Sequence, residues 1–304
     1  MIYEKQPVIF DTDIGDDIDD TWALLYLLKS ETLDTKLIVN SMGHPDYRLK
    51  IAEKFLHIMK METELASGVP AVIEFTQWCR QQARLDDFES IRNYGVGVDR
   101  TVDIVMNSRE KVNIISVGTL SNVAAMLAKE PRTAERIRLF MMGGSIYEGF
   151  EDNSPPFPEA NIVNDTKAAQ YVFSDKFAKI MDISMSPLDS SRHIKIDGDN
   201  YQRLLESNKP EVKALIENYK VWMRKVVELC SCKDLTAETT TSLFDTLPVY
   251  MAADGAGIDE IPMNIQITDT GMTVQSTHGR PVRCILKIDD MPGLTAKITN
   301  TLLK

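Results

Sequence analysis

Ten residues near the amino terminus, residues 11–20 (DTDIGDDIDD), carry six aspartates. They follow a short apolar run, Val8-Ile9-Phe10, and precede an apolar segment that is predicted to be a helix at residues 21–29. Two carboxylates about 4 Å apart repel by about 4 kcal/mol at an effective dielectric of about 20. A folded domain is stable by only about 5–15 kcal/mol. The loop can therefore be compact only if a cation lies among the carboxylates or some of them stay protonated.

At neutral pH a bound cation is the better explanation for this segment, and ligands that are all oxygen select calcium or magnesium. The alternative is a solvated acidic loop that caps a helix. The buried strand before the loop favours the cation, as does Gly15, which permits a tight turn.

Apolar runs alternate with segments of helical spacing along most of the chain. Strands are predicted at residues 8–10, 37–39, 112–116, 137–141 and 178–181, and helices at 21–29, 46–60, 99–108, 120–129 and 165–173. A second, more helical half has helices at 200–207, 211–229, 241–252 and 294–302 and strands at 263–267, 272–275 and 282–288. This order predicts one α/β domain, residues 1–304, with a mostly parallel sheet covered by helices on both faces. Such sheets bind ligands at the carboxyl ends of their strands.

Composition limits the kinds of partner that the protein can bind. The formal net charge of −11 argues against nucleic-acid polymers and anionic membranes, because phosphate contacts need clustered Lys and Arg. No apolar run approaches the ~20 residues of a membrane span, and no signal peptide is visible. The four cysteines (Cys79, Cys230, Cys232 and Cys284) lack zinc spacing and predict reduced thiols in a cytoplasmic protein. We also expect a homo-oligomer, a dimer or a tetramer.

The acidic segment and four later motifs together resemble the inosine–uridine-preferring nucleoside hydrolase family. Residues 8–25 (VIFDTDIGDDIDDTWALL) are similar to its D-T-D-P-G-x-D-D signature, with two extra residues before the closing Asp19-Asp20 pair, as in some bacterial members. The later motifs keep the family's order: VGTLSN (117–122) for G-P-L-T-N, MGG (142–144), NSPPFPEAN (153–161) for N-x-T-P-x-x-E-F-N, and Phe244-Asp245 for H-D-P. The resemblance covers roughly residues 8–250. It implies a Rossmann-like open sheet and calcium-dependent hydrolysis of the N-glycosidic bond of a ribonucleoside, which gives free base and ribose.

The resemblance also implies a role for each matching residue. Calcium would bind an attacking water and ribose hydroxyls, and Asp13 would be the catalytic general base. The implied calcium ligands are the carboxylates of Asp13, Asp20 and Asp245 and the backbone carbonyl of Ser121. The implied substrate-binding residues are Asp19, His44, Asn153, Glu159, Asn161 and Asp245. Asp11 would orient the ligands. Carboxylates and amide oxygens suit the oxocarbenium-like transition state, because they stabilise positive charge on the sugar.

Two positions depart from the family pattern. Phe244 stands where many members have a His that is associated with protonating the leaving base, and a phenyl ring has no proton to donate. His44 stands where the family often has Asn. Aromatic side chains at Trp78, Tyr219 and Trp222 fall in stretches that line the base pocket in the family, although core packing explains them equally well.

Two alternative functions remain open at the level of the sequence. One is a magnesium-dependent phosphohydrolase with Asp11 as nucleophile. The other is a protein that binds calcium and ribose without efficient release of the base, an alternative that Phe244 keeps open.

Overall fold

A computed structural model describes residues 5–70, 81, 85, 88–90, 93–230 and 238–304, with the backbone alone at 228–230. Ten strands are present in these residues: β1 (Gln6–Thr12), β2 (Leu33–Asn40), β3 (Glu64–Ser67), β4 (Gly95–Val96), β5 (Val112–Ser116), β6 (Ile137–Met142), β7 (Asp182–Ser186), β8 (Ile261–Ile267), β9 (Thr273–Gln275) and β10 (Arg280–Cys284). They form one sheet in the order β4-β3-β2-β1-β5-β6-β7-β10-β8-β9.

Helices connect the strands over the same residues. They are α1 (Asp19–Leu28), α2 (Pro45–Met59), α3 (Gly97–Asn107), α4 (Ser121–Lys129), α5 (Ala160–Val163), α6 (Thr166–Val172), α7 (Leu188–Ser191), α8 (Gly198–Leu205), α9 (Pro210–Cys230), α10 (Thr246–Ala253) and α11 (Met291–Leu302). Short 3₁₀ turns at Pro131–Arg136 and Asp175–Phe177 precede β6 and β7.

The sheet is parallel from β4 through β7 and on to β10, and β8 and β9 add antiparallel pairs at one edge. The chain runs outward from β1 to β4 on one side and returns to β5 on the other side of β1. The strand order therefore reverses between β1 and β5. In open α/β sheets, the crevice at such a reversal is where ligands bind.

Each face of the sheet has its own apolar core. Side chains alternate across a strand, so Val8 and Phe10 of β1 pack in one cluster with α1, while Ile9 packs in the other with α4. Helices thus cover both faces, and the predicted fold class, a Rossmann-like, mostly parallel α/β sheet, is confirmed. The prediction of one domain stays a prediction that the continuous sheet favours.

The strand predicted at 282–288 is β10, which ends already at Cys284, and two further predicted elements are placed differently. Residues 178–181 were predicted as a strand, but they form a turn in which Met181 N donates to Phe177 O, and β7 begins at Asp182, where pairing with β6 starts. A helix was predicted from residue 241, but α10 begins only at Thr246. The reason is that the amides of Thr240 and Leu243 donate to carbonyls of the segment at 194–196.

Further sequence expectations concern the cysteines and the membrane. Cys284 is a buried free thiol, while Cys79, Cys232 and the side chain of Cys230 lie outside the described residues. Among the described residues, no helix combines the length and apolar character that crossing a bilayer requires.

Candidate active site

A cavity of about 350 Å³ opens at the carboxyl ends of β1 and β5, at the point where the strand order reverses. Its described lining combines carboxylates with apolar and amide-bearing residues. The lining residues are Asp13, Asp16, Asp17, Asp19, Asp20, Met42, Val117, Met142, Phe150, Phe157, Pro158, Glu159, Ala160, Asn161, Val163, Asn164, Leu188, Phe244 and Asp245. A cavity of this size suits a small molecule.

Three buried carboxylates converge in this cavity. Oxygens of Asp19, Asp20 and Asp245 all lie within 4.8 Å of one another. Asp19 and Asp20 begin α1, where the helix dipole favours negative charge, and Asp245 immediately precedes α10. The Thr12 hydroxyl donates to Asp20 Oδ1 and so orients that carboxylate.

The electrostatics of the site show that these carboxylates are crowded. Burial, followed by repulsion from neighbouring aspartates, raises the pKa of Asp19, Asp20 and Asp245 well above the usual range. Burial also raises the pKa of Asp13 to about 7, and the positive charge of Arg48 opposes that rise. A cation among these groups would relieve both the repulsion and the loss of hydration.

The donor set fits a hard divalent cation. The converging atoms are carboxylate oxygens, and the group contains neither sulfur nor imidazole. Asp13 lines the same cavity. Ser121, whose carbonyl was predicted as a ligand, is the first residue of α4 and is not among the lining residues; its hydroxyl donates to Asp165 Oδ2 at 2.5 Å. Its role as a ligand stays a prediction.

Glu159 and Asn161 line the same cavity as the acidic group. Glu159 accepts hydrogen bonds from the amides of Gly144 (2.8 Å) and Asn161 (3.0 Å), and burial raises its pKa. The side-chain nitrogen of Asn161 donates to the carbonyls of Val117 (3.0 Å) and Met142 (3.3 Å). Because these bonds use the nitrogen, the amide oxygen of Asn161 is the atom available to a ligand hydroxyl.

Asp11 is buried and does not line the cavity. Asn122 Nδ2 donates to its Oδ1 at 2.8 Å, and the Ser116 hydroxyl donates to its Oδ2 at 3.3 Å. Burial nevertheless raises the pKa of Asp11 to about 7. A carboxylate held in this way connects β1 to β5 and α4, and its position gives no support to a phosphohydrolase with Asp11 as nucleophile.

Two predicted substrate-binding residues lie apart from the cavity. His44 is exposed at the start of α2, with a φ of 48°. Asn153 is exposed in the irregular loop at 145–158, with a φ of 61°. Neither is among the lining residues, and their contacts with a substrate stay predictions.

The aromatic lining differs from the one the sequence suggested. Phe150, Phe157 and Phe244 form a wall, with ring centroids 5.0 Å apart for the first pair and 6.0 Å apart for Phe150 and Phe244. Tyr219 and Trp222 are instead buried and stacked on each other, and neither lines the cavity. Trp78 lies outside the described residues.

Sequence reasoning missed the residues that hold the surrounding loops. Asp189 accepts from the amides of Ile146 (2.9 Å) and Tyr147 (2.8 Å), which fixes the start of the loop at 145–158. The buried Arg192 pairs with Glu148 of the same loop. These residues belong to no motif that the sequence analysis singled out, so only the tertiary structure shows them.

Gly118 allows the loop after β5 to approach Asp13 closely. A Cβ atom at this position would lie 2.1 Å from Ser41 Oγ and 3.2 Å from Asp13 Oδ1. We expect Gly118→Ala to lower the free energy of unfolding by about 1–3 kcal/mol, the usual cost of overpacking, and to displace Asp13. Urea unfolding measures the first effect. Gly95→Ala is the control, because a Cβ there meets open space; equal stability of the two variants would contradict the expectation.

Comparison with known proteins was made for both sequence and structure. Residues 8–293 match the family model described as inosine-uridine preferring nucleoside hydrolase. A non-specific ribonucleoside hydrolase RihC from Shigella boydii is 26% identical over 317 residues, which cover 97% of this chain and 98% of the relative. The protein of the same name from Klebsiella pneumoniae is 25% identical over 318 residues, which cover 95% of each chain.

Solved structures of low sequence identity share the fold. A plant nucleoside hydrolase, PpNRh1, superposes with a TM-score of 0.83 at 18% identity and covers 99% of both chains. A purine-preferring ribonucleoside hydrolase from Gardnerella vaginalis superposes with a TM-score of 0.78 at 19% identity, over 98% of this chain and 99% of that one.

Proposed function

Because the chain belongs to the inosine-uridine preferring nucleoside hydrolase family, and is therefore a hydrolase of N-glycosyl compounds, we propose that it cleaves ribonucleosides to free base and ribose with the help of a calcium ion. The observation that carries this proposal is the group of Asp19, Asp20 and Asp245 in the same cavity as Glu159 and Asn161. Acidic ligands for a cation and polar groups for a sugar thus line one cavity of about 350 Å³.

The ligand set favours calcium over magnesium. Magnesium keeps several waters and usually takes one or two carboxylates, whereas calcium accepts six to eight oxygens in flexible geometry. In the proposal, Asp13, Asp20 and Asp245 hold the ion together with the carbonyl of Ser121, and Asp19 binds a ribose hydroxyl beside it. When bound, such an ion lowers the pKa of a water molecule and fixes its position.

Asp13 is the proposed general base. Its carboxylate faces the cavity, and burial raises its pKa to about 7 in the absence of a cation. A bound cation would lower that value, which keeps Asp13 ionised and able to accept the proton of the attacking water.

The polar part of the lining, Glu159 and Asn161, binds the sugar in this proposal. Glu159 and the amide oxygen of Asn161 accept hydrogen bonds from ribose hydroxyls, and their negative charge and dipole stabilise the positive charge that develops on the sugar. Both groups are already fixed by bonds to the backbone, so little reorganisation is needed. Asn153, His44, the homo-oligomeric state and the cytoplasmic location stay predictions from the sequence.

The test is a panel of nucleosides with and without a chelator. We expect inosine, uridine, adenosine or cytidine to release ribose, measured as reducing sugar. We expect a calcium chelator to abolish that release and added calcium to restore it better than magnesium does. Activity that survives complete removal of divalent cations would contradict the proposed role of the metal, and the absence of ribose from every nucleoside would contradict the proposed substrate class.

A further inference from the structure

The backbone carbonyls of the loop between β1 and α1 accept hydrogen bonds from side chains elsewhere in the fold. Five consecutive carbonyl oxygens, those of residues 13–17, each accept a hydrogen bond from a side chain. Arg48 Nη1 donates to the carbonyls of residues 13 and 14, the latter at 3.1 Å, and Tyr47 Oη donates to that of residue 15 at 2.8 Å. Trp222 Nε1 donates to the carbonyl of residue 16 at 3.0 Å, and Gln81 Nε2 to that of residue 17 at 2.8 Å.

The donors are themselves fixed. The side-chain oxygen of Gln81 accepts from Thr21 Oγ1 at 3.0 Å and from Asn218 Nδ2 at 2.5 Å. The backbone N–H of Gln81 donates to Tyr47 Oη at 3.0 Å. Trp222 is 4% exposed and stacks on Tyr219. The donors thus connect the loop backbone to α1, α2 and α9.

Arg48 is the largest contributor to these hydrogen bonds. It is 2% exposed, and its second nitrogen, Nη2, also donates to Asp16 Oδ2 at 2.7 Å. A guanidinium has several donors in a planar fork, so it can serve two carbonyls and a carboxylate together, whereas the compact ammonium of lysine cannot reproduce that arrangement.

We propose that Arg48 is the positioning residue of the site: it holds the backbone at Asp13 and Ile14 so that the loop has its cation-binding shape before any cation arrives. Tyr47, Trp222 and Gln81 assist by fixing the next three carbonyls. This inference deepens the proposed function and rests on the cation invoked there. Arg48 does not line the cavity, so it acts through Asp13 and not on the substrate.

A positioning role and a purely electrostatic role predict opposite results. If Arg48 served only as a positive charge near the aspartates, its removal would strengthen cation binding, because the site would become more negative. If Arg48 positions the loop, its removal weakens cation binding, because the ion must then order a loose backbone. Arg48→Lys separates the roles further, since it keeps the charge and loses the fork.

The experiment measures calcium binding by calorimetry in protein stripped with a chelator, with no nucleoside present. We expect Arg48→Lys and Arg48→Met both to weaken calcium binding by about 10–100-fold, the usual effect of losing a group that orients metal ligands. In the stripped protein, backbone amides of residues 13–18 should exchange hydrogen faster in both variants. At saturating calcium, kcat should fall with little change in KM.

Arg100→Lys is the matched control. Arg100 is half-exposed, lies away from the site and donates two hydrogen bonds to the carboxylate of Glu64. Should the Arg48 variants fail to fold, Tyr47→Phe removes the hydroxyl and keeps the ring, and Trp222→Phe removes the indole N–H and leaves a smaller aromatic ring. A smaller weakening in the same direction is expected from each. Parental calcium affinity and amide exchange in Arg48→Lys, or tighter binding in Arg48→Met, would overturn the inference.

The proposed function can be contradicted independently of the positioning role of Arg48. Calcium binding that responds to Arg48 in a protein that cleaves no nucleoside would leave the positioning role intact and contradict the substrate class. A parent protein that binds no divalent cation would overturn both.

Discussion

Asp13→Asn is expected to lower kcat by about 10²–10⁴, which is what a positioned general base contributes, while the protein stays folded. The amide is nearly the same size as the carboxylate but cannot accept the proton of the attacking water. Because Asp13 is also a proposed cation ligand, kcat is measured at several calcium concentrations up to saturation. A loss of kcat that persists at saturating calcium reflects the role of Asp13 as general base. A loss that added calcium reverses reflects its role as a cation ligand.

The control for this substitution is Asp34→Asn, the same chemical change at a half-buried residue of β2 that pairs with Lys36. Circular dichroism and thermal unfolding of both variants show whether the fold is kept. Turnover near that of the parent in Asp13→Asn at saturating calcium would remove Asp13 from the role of base.

The second large effect concerns the leaving base. Among the described lining residues there is no His, Tyr, Lys or Cys, and Phe244 stands beside Asp245 in the aromatic wall. Proton donation to a leaving group is worth about 10²–10⁴ in rate. We therefore expect nitrophenyl riboside, whose leaving group departs without an acid, to be cleaved at least about 10²-fold faster than inosine, measured as kcat/KM.

Phe244→His should narrow this difference by raising turnover of inosine, because it supplies an imidazole in the wall of the cavity. Phe244→Leu is the control: it removes the ring and offers no proton, so it should leave the ratio between the two substrates high. Equal cleavage of inosine and the activated riboside by the parent would show that an acid acts from elsewhere in the chain.

Much of the site could be predicted because its residues belong to motifs that are local in sequence. The acidic segment at 11–20 follows an apolar strand, and that arrangement places Asp13, Asp19 and Asp20 at the carboxyl end of β1 whatever the rest of the fold does. Glu159, Asn161 and Asp245 were placed by resemblance, and the structure brings all three to the same cavity.

The supporting residues could not be predicted, since their roles depend on distant parts of the chain. Arg48 on α2 is an ordinary helix position until the fold brings it against the acidic loop, and the same holds for Trp222 on α9. The sequence of the irregular segment at 145–158 likewise does not show that Asp189 would bind its backbone amides. The misplaced strand at 178–181 has a related cause: a short apolar run fits a turn as well as a strand, and only pairing with β6 decides.

The acidic group joins two parts of the chain that are far apart in sequence, because Asp20 lies in the first turn of α1 and Asp245 immediately precedes α10. Neither residue can contribute to a shared ion until α10 has docked beside α1, and contacts between residues so far apart in sequence form late, since closing a long loop costs entropy. A cation held by both residues therefore favours the finished fold over the transition state that precedes it. Such a cation therefore lowers the rate of unfolding and leaves the rate of folding nearly unchanged. In kinetic terms, a cation bound by these residues would slow unfolding and would leave the route of folding unchanged.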